Sequence, residues 1–235
     1  MNPVLNDKTF SNTNFSTEVM TKSGVINRSI ILWVVLAIGA YIGWTNPTTM
    51  APLALPAILV AFILALVISF KKNLAPILSP IYAFLEGLCM GIITLVFEKD
   101  YPGIAVNAVF LTISVLFCML AAFKAGIIKP TNKFYAIVGV STLAICLLYI
   151  VDMVIMLFGG AGFPFISSSG PIGIIFSIFV VLIASLNLII DFDFIQKGVA
   201  IGAPKYMEWY GAFALMVTIV WLYLEILRLL SKLRR

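Results

Sequence analysis

Seven long apolar stretches, separated by short polar segments, run through this sequence. A helix needs about 20 apolar residues to cross the roughly 30 Å of hydrocarbon in a bilayer, and each stretch has about that length. The strands of a membrane β-barrel would be about half as long and would alternate apolar with polar residues, which these stretches do not do. The pattern therefore predicts an all-α integral membrane protein, a seven-transmembrane helix bundle. The predicted spans lie near residues 26–45, 52–70, 74–97, 103–123, 134–158, 172–192 and 207–230.

The composition excludes soluble proteins and several classes of function. Hydrophobic residues make up 62% of the 235 residues and charged residues 11%, which is too little polar surface to cover a soluble core. The net charge of +5 does not indicate nucleic-acid binding, because the basic residues lie in short loops and at the termini. We expect no enzymatic activity and no cofactor. Without histidine there is no serine–histidine pair, and the GxGD motif of intramembrane aspartyl proteases is missing.

The three cysteines lie inside apolar stretches and lack the close spacing of a metal site or a CxxC motif. Free cysteine behaves as a small hydrophobic residue. We therefore expect Cys89, Cys118 and Cys146 to be buried, without disulfides or bound metal.

The segment before the first span, residues 1–25, is rich in Asn, Ser and Thr and lacks the apolar core of a cleavable signal peptide. We expect a polar cytoplasmic tail there, followed by a membrane domain over residues 26–235. Basic residues prefer the cytoplasmic side, and with the N-terminus inside, the outer loops after the first, third and fifth spans hold only Lys99. The expected location is the cell membrane, plasma or bacterial inner, for a multi-pass protein with a cytoplasmic N-terminus.

The basic tail "RLLSKLRR" is the exception to this charge distribution. Seven full crossings would place it outside, whereas a re-entrant last segment would bring it inside. The run from 207 to 230 is long enough to span, so seven crossings are preferred.

Several acidic side chains lie within the apolar stretches. An ionisable group far from a helix end is costly unless it is paired, protonated or wetted, which makes it a functional candidate. Glu86 lies near the middle of the third span, where it either lines a polar interior or serves packing. Gly87 and Gly91 beside it would let another backbone approach closely. Asp152 has apolar neighbours, so a role facing the bundle interior and a helix–helix hydrogen bond both stay open.

Asp191 and Asp193, in "NLIIDFDFIQKG", point about 200° apart on a helix, so only one of them is expected to face the bundle. Asp191 shares a face with Asn187 one turn earlier, and the two predict an inward polar strip. Asp193 is the i,i+4 partner of Lys197 and is expected to be a solvated or paired flank. Gly198 is expected to end the helix.

Glu225 lies in "VWLYLEILRLL" in the last span, three residues before Arg228. A local i,i+3 ion pair is one explanation for this glutamate. A functional carboxylate inside the membrane is the alternative.

Three motifs resemble the Bax-inhibitor family, the transmembrane Bax inhibitor motif proteins. "DFDFIQKG" resembles the DFxxIxxG signature that ends the sixth helix of that family, and "LYLEILRLL" resembles its closing helix. "EGLCMG" is similar to its EGLxLG third-helix motif. The resemblance covers nearly the whole chain from about residue 25, including the number and spacing of the spans.

The resemblance implies a seven-helix bundle in which the last helix is central. In bacterial members an acidic pair, one residue from the sixth helix and one from the seventh, senses pH on a passive calcium-leak path. Asp191 takes the first position through DFxxIxxG, and Glu225 takes the second through LYLE, with both as transient Ca²⁺ ligands. Two carboxylates in contact cannot both stay ionised, so a shared proton would hold the pair closed and its loss would open the path.

The sequence departs from the family pattern around this pair. Glu225 replaces the family's Asp. No Arg lies in the second span, where some bacterial members place one that latches onto the acids. That latch is therefore absent here or supplied elsewhere, with Lys71 and Lys72 as the candidates.

The distance along the last span raises a second candidate for the partner of Asp191. If the seventh helix begins at Met207, Glu225 lies about 27 Å along it, whereas Asp191 lies near the inner end of the sixth. Either this helix begins later, near Ala212, or it tilts or is re-entrant, or Glu208 is the partner of Asp191. Glu225 is the first candidate because it matches the motif, and Glu208 is the second because of its position.

The leading functional hypothesis is a pH-sensitive cation leak, with Ca²⁺ as the ion, gated by the carboxylate pair. Some family members modulate a membrane-bound protease, so a regulatory role is an alternative, with the polar tail as the feature to test. Carboxylates inside the membrane also serve proton relays, which keeps a proton-coupled transporter as a third hypothesis. The expected partners are the lipid bilayer, Ca²⁺ and protons, with a membrane protease under the second hypothesis.

Overall fold

The computed structural model describes residues 18–234, apart from the side chain of Ser167, and most of this chain is helical. Residues 1–17, which hold most of the predicted polar tail, lie outside the described residues. The helices are α1 (Lys22–Thr45), α2 (Pro47–Phe70), α3 (Ala75–Asp100), α4 (Ile104–Lys124), α5 (Asn132–Leu157), α6 (Pro164–Ser167), α7 (Pro171–Ala200) and α8 (Met207–Arg234).

Seven of these eight helices, all except the short α6, are long and apolar enough to cross a membrane. This finding confirms the predicted all-α membrane fold and its seven spans. The spans differ in burial. In its most apolar stretch, α8 is 61% buried, against 6–22% for α1, α2, α4 and α5. The last helix therefore has the burial expected of a central helix.

The helix α2 begins earlier than the sequence predicts. The predicted spans 26–45 and 52–70 leave residues 46–51 as a gap, but Asn46 alone separates α1 from α2, which begins at Pro47. Proline fits the first turn of a helix, because its missing N–H would have no helical partner there. Pro52 and Pro56 lie inside α2, where membrane helices tolerate proline. The predicted gap is therefore wrong.

The helix α7 continues past its predicted end. Gly198 is expected to end the helix, but α7 runs to Ala200. The left-handed residue that ends it is Gly202, with φ of 65°, and the N–H of Ala203 bonds to the Gly198 carbonyl at 3.0 Å. The prediction of a Gly198 cap is wrong, because Gly202 and not Gly198 adopts the left-handed conformation. Here the helix outlasts the apolar stretch.

The helix α8 begins at Met207 and not near Ala212, and it is one unbroken helix of 28 residues, about 42 Å long. It is long enough for a full crossing and has no break at which a re-entrant segment would turn. At its end, the Arg234 guanidinium donates to the carbonyl of Pro102 at 2.9 Å, in the loop between α3 and α4. Loops that follow odd-numbered spans share one side of the membrane, so this contact agrees with seven crossings.

The chain divides into two compact units. The α1–α3 unit contains the described residues 18–100 together with Asp191–Val217. The α4–α5 unit contains Tyr101–Ile190 together with residues 218–234. The helices α7 and α8 contribute a part to each unit, so the acidic residues of each helix are divided between them.

Within the α1–α3 unit, α1 and α3 pack through small residues. A Cβ atom at Gly87 would overlap the carbonyl oxygen of Leu36, and one at Gly91 would overlap that of Ala40. Backbones come this close only where glycine leaves the room. The predicted close approach at Gly87 and Gly91 is therefore confirmed, and the partner is α1.

The segment before α1 is tied to the loop between α7 and α8, also within the α1–α3 unit. The N–H of Met20 donates to the carbonyl of Ala203 at 2.7 Å, and the N–H of Lys205 donates to that of Glu18 at 3.1 Å. The Lys205 ammonium also pairs with the Glu18 carboxylate at 2.6 Å, and Met20 is buried. We call residues 18–20 the N-terminal strap.

Within the α4–α5 unit, an apolar cluster joins α5 to α7. Ile145 of α5 packs with Val180 and Ile183 of α7, and all three are buried. Tyr149 and Phe176 extend the cluster with an edge-on ring contact of 6.3 Å. This packing fixes Tyr149, whose hydroxyl matters below.

The cysteines are not all in the core. Cys89 is buried, but Cys118 and Cys146 lie on exposed faces of α4 and α5. Both helices carry many exposed large apolar side chains, as expected where a span faces lipid. The prediction of burial is therefore wrong for these two residues, because hydrophobicity alone does not separate lipid-facing positions from core positions.

Candidate functional site

Asp191 is 2% exposed and belongs to the part of α7 that packs in the α1–α3 unit. Its carboxylate interacts electrostatically with Tyr210 of α8, which is also fully buried. Phe194, one turn further along α7, meets the same tyrosine ring edge-on at 5.9 Å. The prediction that Asp191 is a buried carboxylate on this helix is therefore confirmed, and its role stays a prediction.

Lys72, in the turn between α2 and α3, reaches the same tyrosine. Its ammonium lies 5.5 Å from the centre of the Tyr210 ring, within the range of a cation–π contact. Tyr210 therefore has a cation at its ring and Asp191 as an electrostatic partner. Of the two lysines named as substitutes for a latching arginine, Lys72 is the one that this contact favours.

Asp193 is buried as well, at 8% exposure, and pairs with Lys197 at 2.8 Å. The predicted i,i+4 pair is therefore present. The expectation that only one of Asp191 and Asp193 faces protein is wrong, because this part of α7 is packed on more than one face. Asp193 is paired rather than solvated.

Asn187, predicted to share a polar strip with Asp191, lies in the α4–α5 unit. Its amide nitrogen donates to the hydroxyl of Thr142 on α5 at 2.8 Å and to the carbonyl of Ile183 at 2.9 Å. The contact with Thr142 joins α7 to α5, whereas the contact with Ile183 lies within α7. Asn187 therefore serves helix packing in this structure, as polar side chains between membrane helices often do.

Glu225 is at the centre of a polar cluster in the α4–α5 unit. Nη1 of Arg228 lies 2.9 Å and 3.1 Å from its two carboxylate oxygens. The Tyr149 hydroxyl donates to the same carboxylate at 3.0 Å and accepts from Arg228 Nη1 at 2.6 Å. Trp221 also hydrogen-bonds to Glu225. The i,i+3 ion pair that the sequence offers as an alternative is therefore present.

Lys232 continues this polar cluster one turn beyond Arg228. Its ammonium is buried and donates to the carbonyl of Gly173 at 3.0 Å and to the hydroxyl of Ser177 at 2.9 Å. Both acceptors belong to α7. The basic tail of the sequence therefore consists partly of buried, hydrogen-bonded groups, which explains why it departs from the charge distribution of the other loops.

Glu208, the second candidate on α8, is buried in the α1–α3 unit. It accepts from the backbone N–H of Thr21 at 3.0 Å and from the Thr21 hydroxyl at 2.9 Å. Thr21 is the N-cap of α1, so the carboxylate lies at the positive end of that helix. Arg28 Nε is 3.9 Å from the carboxylate, and its guanidinium stacks on Trp209.

The two remaining acids have local partners. Glu86 is half-buried on α3 and hydrogen-bonds to Tyr82 one turn earlier, whose ring packs edge-on against Phe213 of α8. Asp152 accepts from the backbone N–H of Phe163 at 2.6 Å. This partner lies in the loop after α5 rather than on a neighbouring helix, so Asp152 orders that loop.

The structure brings Asp191, Glu208 and Glu86 into one unit and Glu225, Asn187 and Asp152 into the other. Along α8, Glu225 lies about 26 Å beyond Glu208. Each of these two glutamates has its own set of donors. Which of the two glutamates is the partner of Asp191 stays a prediction.

Several residues of these clusters could not be recognised from the sequence. Thr21, Arg28 and Tyr149 contact acids that are far away in the chain, and local spacing does not reveal such pairs. An Arg or Lys close to the end of a span is a weak signal, since such side chains usually reach the interface. Lys232 is close to the end of a span but is buried, so its position in the sequence does not reveal its environment.

The comparisons with known proteins agree with the motifs. A family model described as Bax inhibitor 1 like matches residues 2–235, essentially the whole chain. Comparison with curated proteins finds no match. With its seven spans and its buried acids on the last two of them, the chain belongs to the Bax inhibitor 1 like family.

Proposed function

We propose that this protein forms a pH-sensitive path for the passive leak of cations, Ca²⁺ among them, and that Asp191 is its titrating group. The observation that carries the proposal is a carboxylate with 2% exposure on a membrane-spanning helix. Such a group is costly unless it has a task or a partner. Membership of the Bax inhibitor 1 like family supports a membrane role without naming the ion.

The expected pH response follows from the two states of the carboxyl group. Protonated Asp191 is neutral and offers no charge to a cation. Once ionised in a site of low polarity, its oxygens attract a hard cation such as Ca²⁺. The leak should therefore rise with pH. A second carboxylate on α8 would share the proton with Asp191. We propose Glu225 first, because it matches the family motif, and Glu208 second, because of its position on α8.

We also propose that the protein is not an enzyme and that it resides in the cell membrane with a cytoplasmic N-terminus. The chain has no histidine, which supports the first point. The distribution of Lys and Arg between the loops supports the second.

The test is Ca²⁺ flux through purified protein in liposomes, measured from mildly acidic to mildly alkaline pH. Asp191→Asn keeps the shape but fixes the neutral state, so we expect a low flux that no longer changes with pH. Asp193→Asn is the matched control, two residues away and paired with Lys197, and should keep the pH response.

The proposal fails if Asp191→Asn, shown to be folded, keeps both the flux and the pH response of the natural protein. If the natural protein itself carries no flux, the leak is excluded. The protease-regulator and proton-coupled transporter hypotheses would then take its place.

A further inference from the structure

Three oxygen atoms of the α4–α5 unit converge on one positively charged nitrogen. Nη1 of Arg228 lies 2.9 Å and 3.1 Å from the two oxygens of Glu225 and 2.6 Å from the hydroxyl oxygen of Tyr149. Two of these oxygens carry a carboxylate charge. Hard divalent cations prefer such a set of oxygen ligands, at shorter distances.

We propose that Glu225 and Tyr149 form a transit site for a divalent cation and that Arg228 is a tethered cation that blocks it. The guanidinium nitrogen occupies the position of the metal ion. A permeating cation has to displace it to reach the carboxylate. This inference rests on the proposed leak and adds to it a second, charge-operated barrier at a residue other than Asp191.

The geometry of the Arg228–Glu225 contact would allow a cation to displace the guanidinium from the carboxylate. A single nitrogen, Nη1, makes all of the guanidinium's contacts to Glu225 described above, whereas the strongest arginine–carboxylate pairs use two nitrogens side by side. The Arg228 side chain is 36% exposed, and that of Glu225 is 2% exposed. The blocking group is therefore the accessible partner, and the group that it covers is the buried one.

The charges around the site favour weak binding of a divalent cation, so that the ion can pass on. Lys232, two turns along α8 from Glu225, adds a second positive charge, and its ammonium is held by Gly173 and Ser177. From α5 the facing titratable group is Tyr149, and from α7 the packing residue is the apolar Phe176. One carboxylate against two cationic side chains should bind a divalent ion weakly, as a leak requires.

The first test is Ca²⁺ flux in liposomes with Arg228→Gln. Removing the tethered cation should raise the flux roughly tenfold, the factor that corresponds to about 1.4 kcal/mol of competition. Arg228→Lys keeps a cation in place and should stay near the natural protein. Arg234→Gln is the matched control, since Arg234 binds backbone carbonyls at the same end of α8.

The second test detects the site without flux. Tb³⁺ replaces Ca²⁺ in oxygen sites and luminesces when a nearby tryptophan is excited, and Trp221 hydrogen-bonds to Glu225. In detergent, Arg228→Gln should give Tb³⁺ luminescence at concentrations where the natural protein gives none. The double variant Glu225→Gln with Arg228→Gln should lose the signal, and so should Trp221→Phe added to Arg228→Gln.

The outcomes separate this inference from the proposed function. Unchanged flux and unchanged Tb³⁺ luminescence in Arg228→Gln overturn the blocked site, even if the natural protein leaks Ca²⁺. Absence of flux in the natural protein excludes the proposed leak. The Tb³⁺ luminescence still decides whether Arg228 covers a cation site.

If Arg228→Gln does not fold, Arg228→Met takes its place, because it removes the tethered charge and keeps both oxygen-bearing residues of the site, Glu225 and Tyr149. The flux should rise as it does in Arg228→Gln, and no rise overturns the inference.

Discussion

The two buried glutamates of α8, Glu208 and Glu225, have similar neighbouring side chains but accept hydrogen bonds from different groups. In both clusters an arginine guanidinium lies 4.9 Å from an aromatic ring, Arg28 over Trp209 and Arg228 over Tyr149. Glu208 is nevertheless held by the N–H and the hydroxyl at the beginning of α1, and its arginine stays 3.9 Å away.

Glu225, in contrast, has its arginine in direct contact at 2.9 Å. A backbone N–H cannot leave its helix, but a side-chain cation can move. The comparison therefore indicates that Glu208 binds the beginning of α1, and it agrees with the proposal that the counter-ion of Glu225 can be exchanged.

The largest effect should come from removing the cap. Glu208→Ala loses two hydrogen bonds to a buried carboxylate and should lower the free energy of unfolding by roughly 2–3 kcal/mol. Thermal unfolding in detergent measures it. Glu18→Ala, which breaks an exposed pair with Lys205, is the control and should cost within about 0.5 kcal/mol. Similar losses for both variants would contradict the assignment of Glu208 as a cap.

A smaller effect should separate the two arginines. Arg228→Gln leaves a buried carboxylate without its cation and should cost about 1–3 kcal/mol of unfolding free energy. Arg28→Gln leaves Glu208 with its N–H and hydroxyl donors and should cost about 1 kcal/mol or less. Both are measured by the same unfolding assay. Equal losses would mean that the two arginines play equivalent roles and would break the comparison.

The smallest effect should come from the third acid pair, which lies on α7. Lys197 is half-exposed, and its pair with Asp193 spans one helical turn. Lys197→Gln should cost about 0.3–0.5 kcal/mol, and this difference should shrink as salt is added. Unfolding at low and high ionic strength measures it. A salt-independent loss above about 1 kcal/mol would show that this pair is part of the buried clusters.

The spans could be predicted from the sequence because a bilayer imposes a length on every apolar helix. All seven were found, and so was the close approach at Gly87 and Gly91. The ends of the helices are predicted less well. The prolines at the beginning of α2 and Gly198 near the end of α7 predict breaks, but a membrane helix can contain proline and can extend beyond the hydrocarbon.

The clusters could be predicted only where the partners are close in sequence. The pairs of Asp193 with Lys197 and of Glu225 with Arg228 follow from helical spacing. Tyr149 and Thr21 lie 76 and 187 residues from the glutamates that they contact, so tertiary packing decides those bonds. A single sequence holds no record of such distant contacts.

The cap on α1 has a consequence for biosynthesis. Thr21 is made 187 residues before its partner Glu208. Met20 and Glu18 of the N-terminal strap likewise pair with Ala203 and Lys205, which follow 183 and 187 residues later. The helix α1 keeps its local cap from the Thr21 side chain, but it is made long before the carboxylate that binds the Thr21 N–H. In a ribosome-bound chain that stops before residue 208, the segment before α1 should therefore be accessible to proteases until α8 is made.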